Sequence, residues 1–461
     1  MIEDQGVRKV ENIKENKMGT QPIGKLMLSM SLPIMISMLV QALYNIVDSV
    51  FVAKVSQDAL TAVSLAFPIQ TLMIAVGAGT GVGIKALLSK SLGEKNFERA
   101  NRSANNGIFL AFISFLLFVV IGLCFTGVFY NSQTDNADIR QYGKDYLSIV
   151  TVASLGIFMQ MTLENLLQST GKTIYSMYTQ GLGAIVNLIL DPCLIFGWGP
   201  FPKMGVSGAA LATVIGQFCA AGLGLLLNIK VNKEIVVSLR KYPPDKKTVK
   251  QIYAVGLPSI IMQSIGSVMT FSLNKILIGY SETAVAVLGV YFKLQSFIFM
   301  PVFGLNNGYI PIVAYNYGAR RKKRIIKAFK CGAAYAVSIM AVGMVIFLTI
   351  PDVLLGFFEA DDEMLEIGVP ALRIISAHFV LASFSIIMIS TLQGLSKGIY
   401  SMIVSFSRQI IVLLPAAYIL SKCFGLSAIW WAFPIAEVVS MTLCALFLAK
   451  TYRKMIKPLE D

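Results

Sequence analysis

Apolar runs recur along the whole chain, and short polar links separate them. A helix needs about 20 apolar residues to cross a hydrocarbon core. Runs of that length lie at 27–53, 59–88, 104–129, 143–168, 174–197 and 206–229, then at 251–279, 284–315, 326–350, 367–392, 398–419 and 425–449. The pattern predicts an all-α integral membrane protein of twelve transmembrane helices.

The polar punctuation repeats. A shift of 225 residues puts Leu32-Pro33 on Leu257-Pro258, Ser56 on Ser281, Gln70 on Gln295, Gly79 on Gly304, Gly83 on Gly308, Gly93 on Gly318 and Arg99 on Arg324. The same shift puts Leu167-Gln168 on Leu392-Gln393, and Lys172 on Lys397, each lysine preceding an Ile-Tyr-Ser-Met. After a deletion of five residues, Gly205-Val206-Ser207 meets Gly425-Leu426-Ser427. Chance similarity between oily segments would match Leu and Val, whereas this match falls on Pro, Gly, Gln and charged loop residues. Each half holds six spans, and an even number of crossings orients both halves alike. The expectation is a parallel repeat about an axis along the membrane normal, with two six-helix lobes facing each other across a cleft.

Charge then sets the topology. The chain carries a formal +14, but its 39 Lys and Arg concentrate in alternate links instead of on one face of a folded domain, so a membrane partner is read and nucleic acid is not. The richest links are 230–250 and 320–330, while the link 352–366 is acidic. By the positive-inside rule both termini are cytoplasmic and the protein is a multi-pass protein of the cytoplasmic membrane. The organisation expected is a cytoplasmic tail at 1–26, an N-lobe at 27–229, a cytoplasmic linker at 230–250, a C-lobe at 251–449 and a cytoplasmic tail at 450–461. The first 25 residues lack the short apolar region of a cleaved signal and read as a mobile tail or surface helix. With 56% hydrophobic and 14% charged residues and a mean hydropathy of +0.69, the composition excludes a water-soluble globule of this length. Six scattered cysteines show no paired or metal-ligand spacing and read as inert thiols.

Ionisable side chains inside a span are costly, about 2.5–3.5 kcal/mol at a helix centre on insertion scales, so each needs a partner or a task. The repeat supplies an internal control. Asn45 and Asp48 lie in the first span, and Asn187 and Asp191 lie four apart on one face of the fifth; their counterparts are Thr270, Leu273, Val412 and Ala416. The second half has largely lost this polar set, so a six-helix bundle does not need it. Two carboxylates with carboxamide neighbours and no obvious cation nearby suit a proton or a hard cation, since oxygen ligation serves both. Asp48 and Asp191 could otherwise bond neighbouring backbone or cap a broken helix. The second half carries Lys275, Lys293, Arg373, Arg408 and Glu437 in its spans; Arg408 and Glu437 sit mid-span and read as a structural ion pair. Glu164, near the inner end of the fourth span, is a candidate for drug contact or gating or else a solvated helix end, and His378 reads as a packed side chain. Tyr44, Met161, Phe67 and Tyr291 could line a tolerant cavity for flat organic cations or simply pack. The glycines at 77, 79, 81 and 83, with Gly304 and Gly308, read as close helix contacts.

No catalytic constellation is present. One histidine, no metal-spaced Cys or His and no Gly-rich phosphate loop argue against a pump driven by ATP or a hydrolase, leaving an ion gradient as the energy source and no cofactor.

The chain resembles the multidrug and toxic compound extrusion (MATE) family over nearly its entire length. The resemblance rests on Leu32-Pro33 with Tyr44-Asn45-Ile46-Val47-Asp48, on Leu167-Gln168-Ser169-Thr170-Gly171-Lys172, on Asn187-Leu188-Ile189-Leu190-Asp191-Pro192, and on Gly205 to Thr213. It implies export of cationic or amphipathic drugs by alternating access, in exchange for H+ or Na+. In the DinF-like and MepA-like bacterial branches the coupling site lies in the N-lobe, which here implies Asp48, Asn187, Asp191 and Thr213, with Na+ as one ion those four could hold. Substrate contact is expected at Tyr44, Asn45, Met161 and Glu164. Another branch carries an acid eight positions after the seventh-span proline; this chain has Gly266 after Pro258, so coupling of that kind is not expected. One chain contains both halves, so a monomer suffices. The alternative function is a flippase for lipid-linked saccharides or an exporter of a narrow metabolite, which the cations of the second half keep open.

Overall fold

The structure, a computed structural model, describes residues 15–358 and 360–460 and contains no strand among them. The expected tail residues 1–14, Glu359 of the acidic link and Asp461 lie outside the described residues. Among the described residues ten helices are long and apolar enough to cross a membrane, and counting each of two bent helix pairs as one span brings the total to twelve. We number them α1 (Ile23–Ala53), α2 (Gln57–Gly93), α3 (Phe97–Gln133), α4 (Ala137–Val152 with Leu155–Ser169), α5 (Thr173–Phe196) and α6 (Val206–Lys230). The second set is α7 (Lys246–Leu277), α8 (Glu282–Gly318), α9 (Lys322–Thr349), α10 (Asp362–Ser376 with Phe379–Gly394), α11 (Gly398–Phe424) and α12 (Leu426–Ile456). Twelve all-helical spans agree with the hydropathy pattern, although α2, α3 and α8 run on past the apolar segment into the polar links.

The repeat extends to backbone detail. Ser56 and Ser281 each accept the amide hydrogen three residues on, at 3.0 Å, and cap α2 and α8. Lys95 and Arg320, which the shift matches, both take a positive φ, at 57° and 58°. α4 bends by 45° and α10 by 46° at matched positions. Gly205 and Gly425 open α6 and α12 with φ of 57° and 82°. A left-handed residue is costly for most side chains, so its recurrence at matched positions is a strong sign of common geometry.

The two halves meet along a seam that obeys the same symmetry. A Cβ added to Gly93 would lie 2.0 Å from the Tyr315 carbonyl oxygen, and one added to Gly318 would lie 2.1 Å from that of Lys90; the shift exchanges the two contacts. Gly79 abuts Ile260 where Gly304 abuts Met35, and Gly83 abuts Ile252 and Gly256 where Gly308 abuts Ser31. Within lipid there is little hydrophobic drive between helices, and small residues let backbones close to van der Waals range. The glycines expected to make close contacts therefore do so in two stripes. Gly79 and Gly83 face α7 across the seam, whereas Gly77 and Gly81 face Met161 and Asn165 of α4. The seam lies at the start of α1 and α7 and the end of α2 and α8. Farther along, the matched pairs Leu43 with Val268 and Ile46 with Phe271 are exposed, and the lobes diverge.

Residues 15–22 differ from a loose tail. A short helix, Lys17–Thr20, buries Met18 and ties to both halves. Asn16 Nδ2 donates to the Thr170 carbonyl at 2.9 Å, while Arg324 donates to the carbonyls of Met18 and Gln21 at 3.0 and 2.7 Å. The first span accordingly begins at Ile23 rather than at 27.

Candidate functional site

Four helices of the first half, α1, α4, α5 and α6, converge on a polar cavity. α5 and α6 approach so closely that a Cβ on Gly216 would lie 2.7 Å from the Gly183 carbonyl oxygen, and this approach sets Asn187 beside Thr213. With its amide turned to satisfy both ends, Asn187 donates from Nδ2 to Asp191 Oδ2 at 3.2 Å; its Oδ1 accepts from the Thr213 hydroxyl and amide at 3.3 and 3.2 Å. Asp191, one turn beyond Asn187, is fully buried, and its carboxyl lies within hydrogen-bonding reach of that of Asp48 from α1. Pro192 follows directly and cannot donate an amide hydrogen to the preceding turn, which loosens α5 at this point. The structure thus brings Asp48, Asn187, Asp191 and Thr213 together.

The cavity beside them is small, roughly 40 Å³, and partly open. Tyr44, Gln41, Gln160, Gln180, Gln217 and Ser37 line it together with Asn187 and Thr213. Behind the lining Gln160 and Gln180, Glu164 is only 4% exposed, so it is not a solvated helix end. Its carboxylate accepts from Gln160 at 3.0 Å, Thr179 at 3.1 Å and Gln180 at 2.9 Å, all neutral donors. Tyr44 lines the cavity, and Met161 packs on Gly77 of α2. Asn45 is exposed and does not line it, because one residue along a helix turns a side chain about 100° away.

Sequence reasoning missed the glutamines. The signal was available in the repeat: Gln41 and Gln180 align with Gly266 and Ser405, so amides, like the acids, were retained on one side only. It also missed a buried cation. Lys85 of α2 is 2% exposed and donates to Gln168 Oε1 at 3.3 Å and to Asn307 Oδ1 of α8.

In the second half Arg408 and Glu437 form the expected ion pair, at 3.2 Å. His378 is buried, its ring stacked on Phe433 at 6.1 Å, as a packed side chain would be. Among the described residues no group of three or more His, Cys, Asp or Glu could hold a metal.

Two related six-helix lobes joined at a glycine seam, one of them holding an acid pair in which Asp191 is buried, define an integral membrane transporter of pseudo-symmetric architecture. The chain belongs to the MATE family of efflux transporters: the MatE family model matches residues 33–193 and again 258–419, once in each lobe. It is 27% identical over 435 residues to the multidrug export protein MepA of Staphylococcus haemolyticus (strain JCSC1435), covering 94% of this chain and 95% of the relative. It is also 27% identical to MepA of Staphylococcus aureus (strain N315) over 430 residues, 92% of each. A crystal structure of MATE in the straight conformation superposes with a TM-score of 0.89 at 25% identity, covering 96% of this chain and 99% of that one.

Proposed function

We propose that this protein exports cationic or amphipathic drugs across the cytoplasmic membrane by exchange with a cation that binds at Asp48 and Asp191. The observation that carries the reading is the meeting of those two carboxyls inside the N-lobe. Two bare carboxylates at hydrogen-bonding range repel strongly, so the pair holds a positive charge: a shared proton, or a metal cation in its place. Asn187 presents an N–H to Asp191 and turns its oxygen to Thr213, which favours the proton. For Na+ to bind, the amide would have to turn its oxygen toward the acids.

Coupling follows if the loaded and unloaded pairs stabilise different arrangements of the lobes, since a ligand indifferent to both shifts nothing. Asp48 is on α1, whose first half makes the seam, so loading the pair bears on the helix that parts or joins the lobes. By the positive-inside reading the seam closes the cytoplasmic face, both termini are cytoplasmic and the cleft opens outward. Drug would contact Tyr44, the one of the four expected contact residues that lines the cavity, and one chain would work as a monomer.

The test is efflux of a fluorescent organic cation from cells lacking their own pumps, comparing wild type with Asp48→Asn at matched membrane expression. Export by wild type alone supports the reading; equal export by both sinks the site. Imposed pH or sodium gradients in proteoliposomes then identify the ion.

A further inference from the structure

Lys85 is a buried amine whose two hydrogen-bond partners are both amide oxygens, and it takes part in none of the ion pairs among the described residues. Burying a cation without a counter-charge is expensive, and a brace does not require it. The repeat again provides a control. The shift matches Lys85 with Ile310 and Asn307 with Val82, so on the other side of the pseudo-axis both positions carry apolar side chains.

Its position gives the charge a second use. Asn307 belongs to the opposite lobe, and Lys85 stands eight residues, about 12 Å along the helix, before Gly93 at the closed end of the seam. When the lobes part there, Lys85 loses Asn307 and its ammonium faces the space that opens. Acids of the N-lobe are engaged elsewhere: Asp48 with Asp191, Glu164 with three donors, Glu94 with Arg99 at 2.9 Å and Lys90 at 3.8 Å, and Glu98 with Arg102 at 2.8 Å, among others not paired with Lys85. The newly opened mouth therefore presents an unneutralised cation.

We infer that Lys85 is a specificity residue that pairs with a carboxylate on the substrate as it enters, so that this exporter takes zwitterionic, carboxylate-bearing amphiphiles in preference to their purely cationic analogues. The inference rests on the export reading above and on alternation of the seam. In the closed state the ammonium returns to Gln168 and Asn307, releasing the carboxylate for passage. A charge-assisted hydrogen bond to a carboxylate is strong enough to alter uptake on the order of tenfold.

The test compares rhodamine B, a zwitterion, with its ethyl ester, a cation on the same scaffold, in efflux and in anisotropy titrations of purified protein. Wild type should export and bind the zwitterion better. Lys85→Gln should lower zwitterion export and affinity about tenfold while the ester changes by less than about twofold, and Lys85→Arg should restore the preference. Asn307→Ala keeps the ammonium and should leave the ratio of the two probes unchanged; matched membrane insertion and detergent melting curves control for folding. Equal loss of both probes in Lys85→Gln makes Lys85 a seam brace and overturns the inference, as does a changed ratio in Asn307→Ala. Export of the ester but not the zwitterion by wild type overturns it while the export reading stands. Export of neither overturns both.

Discussion

The two lobes share a backbone plan and differ in what fills it. Where the N-lobe has Gly183 and Gln217 on the wall of a polar cavity, the repeat places Arg408 and Glu437, which join in an ion pair. Where the N-lobe has Asp48, Asn187, Asp191 and Thr213, the C-lobe has Leu273, Val412, Ala416 and Phe433. Even the helix differs. Ser407–Leu413 of α11 is wound as a π-helix, while the matched stretch of α5 is α-helical. At positions where the N-lobe has cavity wall, the C-lobe thus carries an ion pair.

The largest effect that would break this comparison is loss of the acid pair. Asp191→Asn should reduce gradient-driven export to background in proteoliposomes while the protein inserts and melts normally. Giving the N-lobe the C-lobe's apolar residues, Asp191→Ala with Asn187→Val, should cause the same loss. Retained coupling in either variant would mean the lobes differ for reasons unrelated to transport.

The seam should respond symmetrically where the cavities do not. Gly93→Val and Gly318→Val each push a side chain against a carbonyl oxygen that even a Cβ cannot clear, so each should hold the lobes apart in most molecules. Moving such an equilibrium from 99:1 to 1:99 takes about 5.5 kcal/mol. Spin labels at Lys95 and Arg320 would report the widened distance, and a shift in only one variant would deny the pseudo-two-fold seam.

A smaller effect concerns the C-lobe ion pair. Arg408→Met leaves Glu437, 2% exposed, buried without its cation, and should cost about 3 kcal/mol in detergent unfolding. Adding Glu437→Gln should recover most of that loss and leave export intact. Failure of the double variant to export would give the C-lobe pair a functional part.

The smallest effect lies in the link between the lobes. The Thr248 hydroxyl and the amides of Thr248 and Lys247 donate to Asp245 at the start of α7 and hold its carboxyl below the usual carboxylate range. A depressed value means the cap is present at neutral pH and is lost as pH falls through the folded value. Hydrogen exchange at Lys247 and Thr248 should therefore quicken on acidification, and Asp245→Ala should show that faster exchange already at pH 7 without a change in export.

Span number, the parallel repeat and the asymmetry of Asp48, Asn187 and Asp191 were legible in one sequence, because bilayer thickness and the cost of buried charge act on composition and spacing directly. Thr213 came from family resemblance. Other features were not legible. Lys85 and Asn307 are 222 positions apart. The burial of Glu164 could not be seen from its place near a span end, and Asn45 looked as eligible as Tyr44 until the turn of α1 pointed it elsewhere.

The sequence by itself therefore determined the membrane class, the two-lobe plan and which lobe kept its acids, since each of these follows from local hydropathy or from comparing matched positions. Only the tertiary structure decided that the matched glycines form the seam between lobes, that the C-lobe ion pair stands at positions where the N-lobe has cavity wall, and that Lys85 is buried across the seam. Those are relations between helices far apart in the chain, fixed by how close two backbones can come, and a one-dimensional pattern carries no such distance.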